Sequence, residues 1–243
     1  VPFNQWASGH KRYKGDPADF TDMYDFIHNH AFLLDGYRAM AKTGLILSRT
    51  ELSERQDIVE SVLQHLVLEN IPFRLIYTGP NDWDNKLAEE DLLGLNVVIT
   101  PSNQDYLTDK QWETLSNFDG MIQSLSGKIE LMEMVGRPIT VTNGNDKLTV
   151  IPRENFLDDD YPYVCHLLNS LYDRETDRLL PQKDVRIWFD GVFFSKNIST
   201  ALFYCPEEDP VELDMQPSEN GFTIQIPRVA DWGIVAFTSK SID

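Results

Sequence analysis

The feature of this sequence that most constrains its fold is an alternation of short apolar runs with amphipathic helical segments, which begins at Thr43. Strands that alternate with helices pair in parallel, because each crossover must return over the sheet. The alternation predicts an α/β, doubly wound domain over about residues 41–155. The strand-like runs are TGLILS, PFRLIYT, LNVVIT, FDGMIQSL and RPITVTN. The helical face predicted over about 51–69 carries Ile58, Val59, Val62, Leu63, Leu66 and Val67. Thr108 is predicted to cap a helix that carries Trp112 and Leu115, and a further helix is predicted through Leu131 and Met134.

Two further kinds of secondary structure are predicted beyond residue 155. One more helix is predicted between Asp158 and Leu180, so this α/β domain is expected to cover residues 41–180. From Pro181 onward, short β-rich runs are separated by turn clusters, a spacing typical of a small antiparallel β-sandwich over 181–243. The apolar face of the predicted helix carries Tyr163, Leu167, Leu168 and Leu171. The later runs are VRIWFD, TALFYC, VELDMQ, FTIQIP and WGIVAFT.

The first 40 residues form a third part, which we expect to be a loop followed by a helix. Asp16 and Pro17 are typical of an N-cap and a first helical position. A helix is predicted from about 17 to 35, ending near Gly36. Its apolar residues, spaced three or four apart, are Phe20, Tyr24, Ile27, Ala31 and Leu34.

The charge of the chain narrows the class of partner. Its 39 acidic and 21 basic side chains give a formal charge of -18, which repels phosphate backbones and argues against nucleic acid. No apolar run approaches the roughly 20 residues that cross a bilayer, so no membrane partner is expected. Neutral ligands such as sugars are not repelled by this field. Val1 in place of Met predicts a processed chain or a piece of a longer one.

Open α/β sheets bind ligands in the loops that follow their strands, so the predicted loops of this kind are the first candidates for a site. None carries a phosphate loop or a nucleophile elbow, and we expect no cofactor and no metal. Cys165 and His166 are adjacent on a predicted helix and point in different directions, which argues against a catalytic pair. Whether Cys165 pairs with Cys205 stays open. His28 and His30 are too close in sequence to share a helical face, and the acidic clusters at 88–91 and 157–161 are typical of solvated surface.

The N-terminal loop is the strongest candidate for a binding site. Trp6, His10, Arg12 and Tyr13 combine flat aromatic faces with hydrogen-bond donors, as surfaces that bind sugar rings do. The alternative is that Phe3 and Trp6 cover an apolar patch on a neighbouring domain. We predict that these four residues bind carbohydrate.

Two longer stretches carry a family resemblance: TPSNQDYLTDKQWETLSNF at 100–118 and GFTIQIPRVADWGIVAFT at 221–238. With the order of elements, they resemble the C-terminal region of β-galactosidase-type glycoside hydrolases, over roughly residues 43–243. The resemblance implies a flavodoxin-like, class I glutamine amidotransferase-like trimerisation domain without its catalytic triad, followed by a small β-sandwich. Residues 1–40 look like the end of a catalytic (β/α)₈ barrel. Both catalytic glutamates of the family belong to that barrel, so the resemblance assigns no catalytic residue here.

Three hypotheses follow. The first is an accessory region of a glycoside hydrolase that assembles or positions a catalytic barrel carried elsewhere, with carbohydrate as ligand and a homo-oligomer as the expected assembly. The second is a stand-alone carbohydrate-binding or oligomerisation module. The third is a glutamine amidotransferase-like enzyme, which would need Cys165 at an exposed turn near His166.

Overall fold

The computed structural model describes residues 18–78, 87–125, 137–143, 147–194, 197–206 and 208–239. Strands outnumber helices within these ranges. The α-helices are α1 (Ala18–Asn29), α2 (Arg49–Glu54), α3 (Gln56–Leu68), α4 (Glu89–Leu92) and α5 (Asp109–Ser116), with 3₁₀ turns at Ala31–Leu33, Gln104–Tyr106 and Gly191–Phe193. The first eight strands are β1 (Arg38–Ala39), β2 (Thr43–Ser48), β3 (Phe73–Thr78), β4 (Val97–Thr100), β5 (Met121–Ser124), β6 (Ile139–Val141), β7 (Leu148–Glu154) and β8 (Tyr163–Asn169). The later strands are β9 (Tyr172–Asp173), β10 (Arg178–Leu179), β11 (Gln182–Asp190), β12 (Thr200–Cys205), β13 (Glu208–Leu213), β14 (Met215–Ser218), β15 (Gly221–Val229) and β16 (Trp232–Thr238).

A four-stranded parallel sheet with the order β3-β2-β4-β5 lies in the first half of the chain. Helix α3 covers one face through Val59, Val62 and Leu66, which recur at helical spacing and are buried. Gly44 lets the opposite face close, since a Cβ there would lie 2.7 Å from Cδ1 of Leu95. The cluster on that opposite face is Ile46, Ile76, Leu87, Leu92, Leu95, Val98, Leu107 and Leu115.

The larger part of the molecule is an antiparallel sandwich. A six-stranded sheet (β1-β7-β8-β16-β12-β13) packs on a four-stranded sheet (β14-β15-β11-β6), and β9 and β10 form a separate two-stranded ribbon. The rings of Phe189, Phe194 and Phe237 meet edge to face at the centre, with centroids 5.4 to 5.8 Å apart. Side chains alternate between the two faces along each strand, so each sheet contributes one apolar face to a shared core.

Helix α1 covers the outer face of the six-stranded sheet. Phe26 is buried there and meets Trp232 edge to face at 5.2 Å. The hydroxyl of Tyr37 donates a hydrogen bond to the backbone oxygen of Tyr161 at 2.6 Å. Val164, Ile234 and Ala236 complete this second, smaller core. The six-stranded sheet is thus buried on both faces around β8 and β16.

The predicted fold class, a flavodoxin-like or amidotransferase-like doubly wound sheet followed by a small sandwich, is wrong. The described chain is mostly antiparallel β-sheet. RPITVTN, predicted to extend the parallel sheet, contains β6, which pairs antiparallel with β11. The stretch predicted as a helix between Asp158 and Leu180 contains β8, paired antiparallel with β7 and β16.

The physical reason for the second error is two-sided burial. Tyr163, Cys165 and Leu167 face the sandwich core, while Val164 faces the side that α1 covers. A strand buried on both faces loses its polar alternation, and a short apolar run then has no distinctive period.

The helix predicted through Leu131 and Met134 lies outside the described residues. The three-part division at 40 and 180 stays a prediction.

Two other local predictions are confirmed. The side chain of Thr108 accepts from the Gln111 N–H at 3.3 Å and the side chain of Gln111 accepts from the Thr108 N–H at 2.8 Å, a capping box at the start of α5. The predicted first helix is present as α1 and the short 3₁₀ turn after it. Among the described residues, no helix is long and apolar enough to cross a membrane.

Asn70 joins the parallel sheet to the sandwich. It follows α3 in a left-handed conformation with φ of 52°. Its Oδ1 accepts from the Val150 N–H at 2.7 Å, and its Nδ2 donates to the Leu148 carbonyl at 3.3 Å. The side chain therefore occupies the edge of β7 that the two-residue β1 does not reach. A second link is the ion pair between Arg137 and Glu69 at 2.9 Å.

We expect Asn70→Ala to lower the free energy of unfolding by about 2–4 kcal/mol, because it removes two buried hydrogen bonds and leaves a Cβ in the left-handed region. Asn70→Gly should lose less, since glycine adopts that conformation without strain. Urea unfolding of both variants measures the difference. Wild-type stability in both variants would show that the bonds to β7 contribute nothing, since only the glycine variant relieves backbone strain.

Candidate functional site

The predicted carbohydrate-binding residues Trp6, His10, Arg12 and Tyr13 lie outside the described residues. Their role stays a prediction. Two other candidate ligand sites lie among the described residues: the carboxyl edge of the parallel sheet, and a pocket between α1 and the sandwich.

The carboxyl edge of the parallel sheet has a topological switch point between β2 and β4. The chain passes from β2 to β3 on one side and then returns to β4 on the other, so the loops after β2 and β4 meet. Open α/β sheets bind ligands at such a crevice. The segments that meet there are α2 with Arg55 on one side and residues 101–106 on the other.

A carboxylate occupies this switch point. Glu51 is fully buried, and its Oε1 accepts from the backbone N–H of Ser102 at 2.9 Å and from the Ser102 hydroxyl at 2.8 Å. The guanidinium of Arg55 donates to the same hydroxyl oxygen. Within the described chain, Oε2 of Glu51 and Oγ of Ser48 are buried without a hydrogen-bond partner. Glu51 therefore ties α2 to the loop after β4.

The rest of that loop is also used in local structure. The hydroxyl of Tyr106 donates to Glu54 at 2.9 Å. Oδ1 of Asn103 accepts from the Asp105 N–H at 3.2 Å, and the indole N–H of Trp112 donates to the Gln104 carbonyl at 2.8 Å. Ser102 donates its proton to a carboxylate rather than to an imidazole that could activate it. The polar side chains at the carboxyl edge of the parallel sheet are therefore used in contacts that stabilise its loops.

The sequence pair Cys165 and His166 does not form a catalytic dyad. Adjacent residues on a strand point to opposite faces, and Cys165 is fully buried in the sandwich core, where burial raises the pKa of its thiol. His166 faces the α1 side, stacked on Trp232. Cys165 and Cys205 form no disulfide. The amidotransferase-like hypothesis therefore lacks its nucleophile.

The acidic clusters and His30 have structural contacts. Oδ2 of Asp91 accepts from the Ala88 N–H at 2.9 Å at the start of α4. Oδ1 of Asp158 accepts from the backbone N–H groups of Asp160 and Tyr161 in a turn. His30 bonds the Phe26 carbonyl through Nδ1 at 3.0 Å, and His28 is exposed. Among the residues described, no group of three or more His, Cys, Asp or Glu could hold a metal ion.

The pocket between α1 and the sandwich has a volume of about 120 Å³. Trp232 contributes a half-buried indole, and its N–H donates to Nδ1 of His166 at 3.3 Å. Arg228 and Glu208 form an ion pair at 3.3 Å on the wall. No sequence motif marks this pocket, because its residues come together only when α1 packs on the sheet. Its lining comprises Asp22, Met23, Cys205, Pro206, Glu208, Arg228, Ala230, Asp231 and Trp232.

Comparison with known proteins relates this chain to glycoside hydrolases. The α-agarases of Alteromonas agarilytica and Thalassotalea agarivorans are each 22% identical to it over 97% of its length, and the chain spans 17% and 16% of theirs. No protein-family model matches the sequence. The fold is similar to that of α-L-fucosidase isoenzyme 2 from Paenibacillus thiaminolyticus, with a TM-score of 0.61, 9% identity and coverage of 90% of this chain and 51% of that one. A rhamnosidase from Novosphingobium sp. PP1Y gives a TM-score of 0.55, 13% identity and coverage of 91% and 25%.

These matches confirm the coarser part of the predicted resemblance. The chain is similar to a region of glycoside hydrolases. They do not single out the β-galactosidase type, and they support neither an amidotransferase-like fold nor a trimerisation domain.

Stability should depend on the contact between Glu51 and Ser102. We expect Ser102→Ala to lower the free energy of unfolding by about 1.5–3 kcal/mol, because it removes a hydrogen bond to a charged acceptor. Glu51→Ala should cost more, since it also leaves the Ser102 N–H without its acceptor. A double-mutant cycle measured by urea unfolding should give a coupling of about 1–3 kcal/mol. Additive effects would mean that the two side chains do not act together.

Stability should also depend on the protonation of His166. Burial, and then the charge of Arg153, lower the pKa of His166 from 6.5 to about 4. Between these pH values the imidazole is protonated in the unfolded chain and neutral in the folded chain. The contribution of His166 to the free energy of unfolding is therefore fully present above pH 6.5 and is lost as the pH falls towards 4. The slope is at most about 1.4 kcal/mol per pH unit.

Urea midpoints measured across this range should show a flatter pH dependence in His166→Gln than in the wild type. The matched control is His28→Gln on the exposed side of α1, which should keep the wild-type slope. Equal slopes in all three proteins would mean that His166 protonates alike in the folded and unfolded states.

Proposed function

We propose that this chain is an accessory, non-catalytic region of a polysaccharide-cleaving glycoside hydrolase, and that it holds in position a catalytic domain carried elsewhere in a longer polypeptide. The α-agarases match nearly all of this chain with about one sixth of their own length. That proportion supports an auxiliary part of a large enzyme. On the same grounds we propose a galactan such as agarose as the polysaccharide.

The observation that carries this proposal is the state of Glu51. Glycoside hydrolysis usually needs two carboxyl groups on opposite sides of a cleft, one of them able to give up a proton. Within the described ranges, Glu51 is the carboxylate that is fully buried. Its Oε1 is occupied by two donors from Ser102. This arrangement favours a structural carboxylate over an acid or a nucleophile.

The internal joints of the molecule support a positioning role. Asn70 fixes the parallel sheet to β7, and Phe26 fixes α1 to the six-stranded sheet. If residues 1–40 end a catalytic barrel, α1 would carry that barrel onto the sandwich as one body. Assembly into a homo-oligomer, and sugar binding by Trp6, His10, Arg12 and Tyr13, stay predictions of the sequence.

The test compares the hydrolytic activity of this chain alone with that of the longer polypeptide. This chain alone should release no reducing sugar from agarose and no aryl alcohol from aryl glycosides, because the described residues hold no acid and nucleophile pair facing each other across a cleft. The longer polypeptide should hydrolyse its substrate, and Glu51→Gln within it should leave kcat per folded molecule unchanged while lowering thermal stability. Hydrolysis by this chain alone would overturn the proposal, as would loss of kcat in folded Glu51→Gln.

A further inference from the structure

We propose that the pocket between α1 and the sandwich is a binding site for one neutral hexose unit of a polysaccharide chain. The choice of a galactan as ligand rests on the proposed function, whereas the site itself rests on the pocket. Its four elements of recognition are an indole, a guanidinium, carboxylates and a rigid turn.

The indole of Trp232 is held in one orientation. The imidazole of His166 lies 5° from parallel to it with ring centroids 5.9 Å apart, and Phe26 meets it edge to face at 83°. The hydrogen bond from its N–H to His166 fixes the remaining rotation. A fixed and half-buried aromatic ring offers an apolar surface to the C–H groups of a sugar at little cost in side-chain entropy.

The turn beside Trp232 is fixed from beneath by Asn169, which is buried. The backbone N–H of Asn169 donates to the carbonyl of Asp231 at 2.9 Å, and its side-chain amide donates to the carbonyl of Ala230. The amide of Gln182 donates in turn to Oδ1 of Asn169 at 2.9 Å. Asp231 is therefore presented to solvent from a turn that two hydrogen bonds from Asn169 hold in place, and Gln182 in turn holds the Asn169 side chain.

The polar groups of the pocket suit hydroxyl groups. Arg228 can donate and the carboxylates can accept, so that a sugar hydroxyl, which does both, has partners for each role. Asp22 and Asp231 are exposed, and the side chains of Arg228 and Glu208 are 37% and 50% exposed. These groups remain within reach of a ligand from solvent.

The charges indicate a neutral ligand. Asp22, Glu208 and Asp231 place three carboxylates around the single guanidinium of Arg228, on a chain whose formal charge is -18. Sulfated or uronic sugars would be repelled by this field. A metal ion is not favoured, because Arg228 already pairs with Glu208.

Cys205 supplies a reporter for occupancy. It lines the pocket and is half-buried, whereas Cys165 is fully buried with a raised thiol pKa. A thiol reagent such as 5,5′-dithiobis(2-nitrobenzoate) should therefore modify Cys205 in the folded protein and reach Cys165 only on unfolding. A ligand in the pocket should slow the modification of Cys205.

The experiment measures agarotetraose binding to the full chain by calorimetry and by the rate of Cys205 modification. We expect binding at up to about 10 mM sugar and slower modification in the same range. Asp22→Asn and Arg228→Gln should each weaken binding about five- to tenfold, as expected for one hydrogen bond to a charged group. Asp25→Asn, on the same helix but outside the pocket lining, is the matched control and should bind as the wild type does.

Two further measurements distinguish a neutral sugar from other ligands. A sulfated galactan tetrasaccharide should bind at least tenfold more weakly than agarotetraose, and calcium should not slow Cys205 modification. Protection by calcium rather than by sugar would make this a cation site and overturn the proposal. So would the absence of any sugar binding, or binding that Asp22→Asn and Arg228→Gln leave unchanged. None of these outcomes bears on the accessory role, which is decided separately by the hydrolysis assay.

Discussion

The rest of the structure depends on the six-stranded sheet being covered on both faces. Its inner face shares a core with the second antiparallel sheet, and its outer face is closed by α1 through Phe26 and Tyr37. An antiparallel sheet can leave one face in water, with polar residues along it. This sheet places Val164, Ile234 and Ala236 on the outer face instead, so the helix is needed to keep them from solvent. Helix α1 is therefore part of the same folded body as the last strands.

The same contact builds the pocket and the His166 environment. Where α1 meets the ends of the strands, Asp22 comes next to Trp232 and Asp231 although they are more than 200 positions apart in the chain. Burial, and then the charge of Arg153, lower the pKa of His166, which keeps the imidazole neutral and able to accept the hydrogen bond from Trp232. The contact of Phe26 on α1 with Trp232 thus helps to set the orientation of the indole.

The parallel sheet has a different role. Its carboxyl edge has the topology of a ligand site, but Glu51, Ser102 and Arg55 fill the switch point with contacts to one another. Asn70 then joins this layer to β7 by mimicking a neighbouring strand. Both arrangements use polar side chains to stabilise backbone corners, which is what a domain needs if it supports chemistry performed elsewhere. A polar residue at a strand end is therefore not by itself a sign of catalysis.

The sequence alone determined the local elements whose signals are short-range. The strand runs beginning at Thr43, the helix cap at Thr108 and the amphipathic face of α3 could be predicted, because each depends on residues within one turn or one strand. The link to glycoside hydrolases was also recognisable from stretches of sequence. The identity of β8 as a strand, the antiparallel pairing of β6, the pocket at Trp232 and the burial of Glu51 were decided only by tertiary structure. Each depends on which distant segment covers a given side chain, and the period of a short apolar run is the same whichever segment does so.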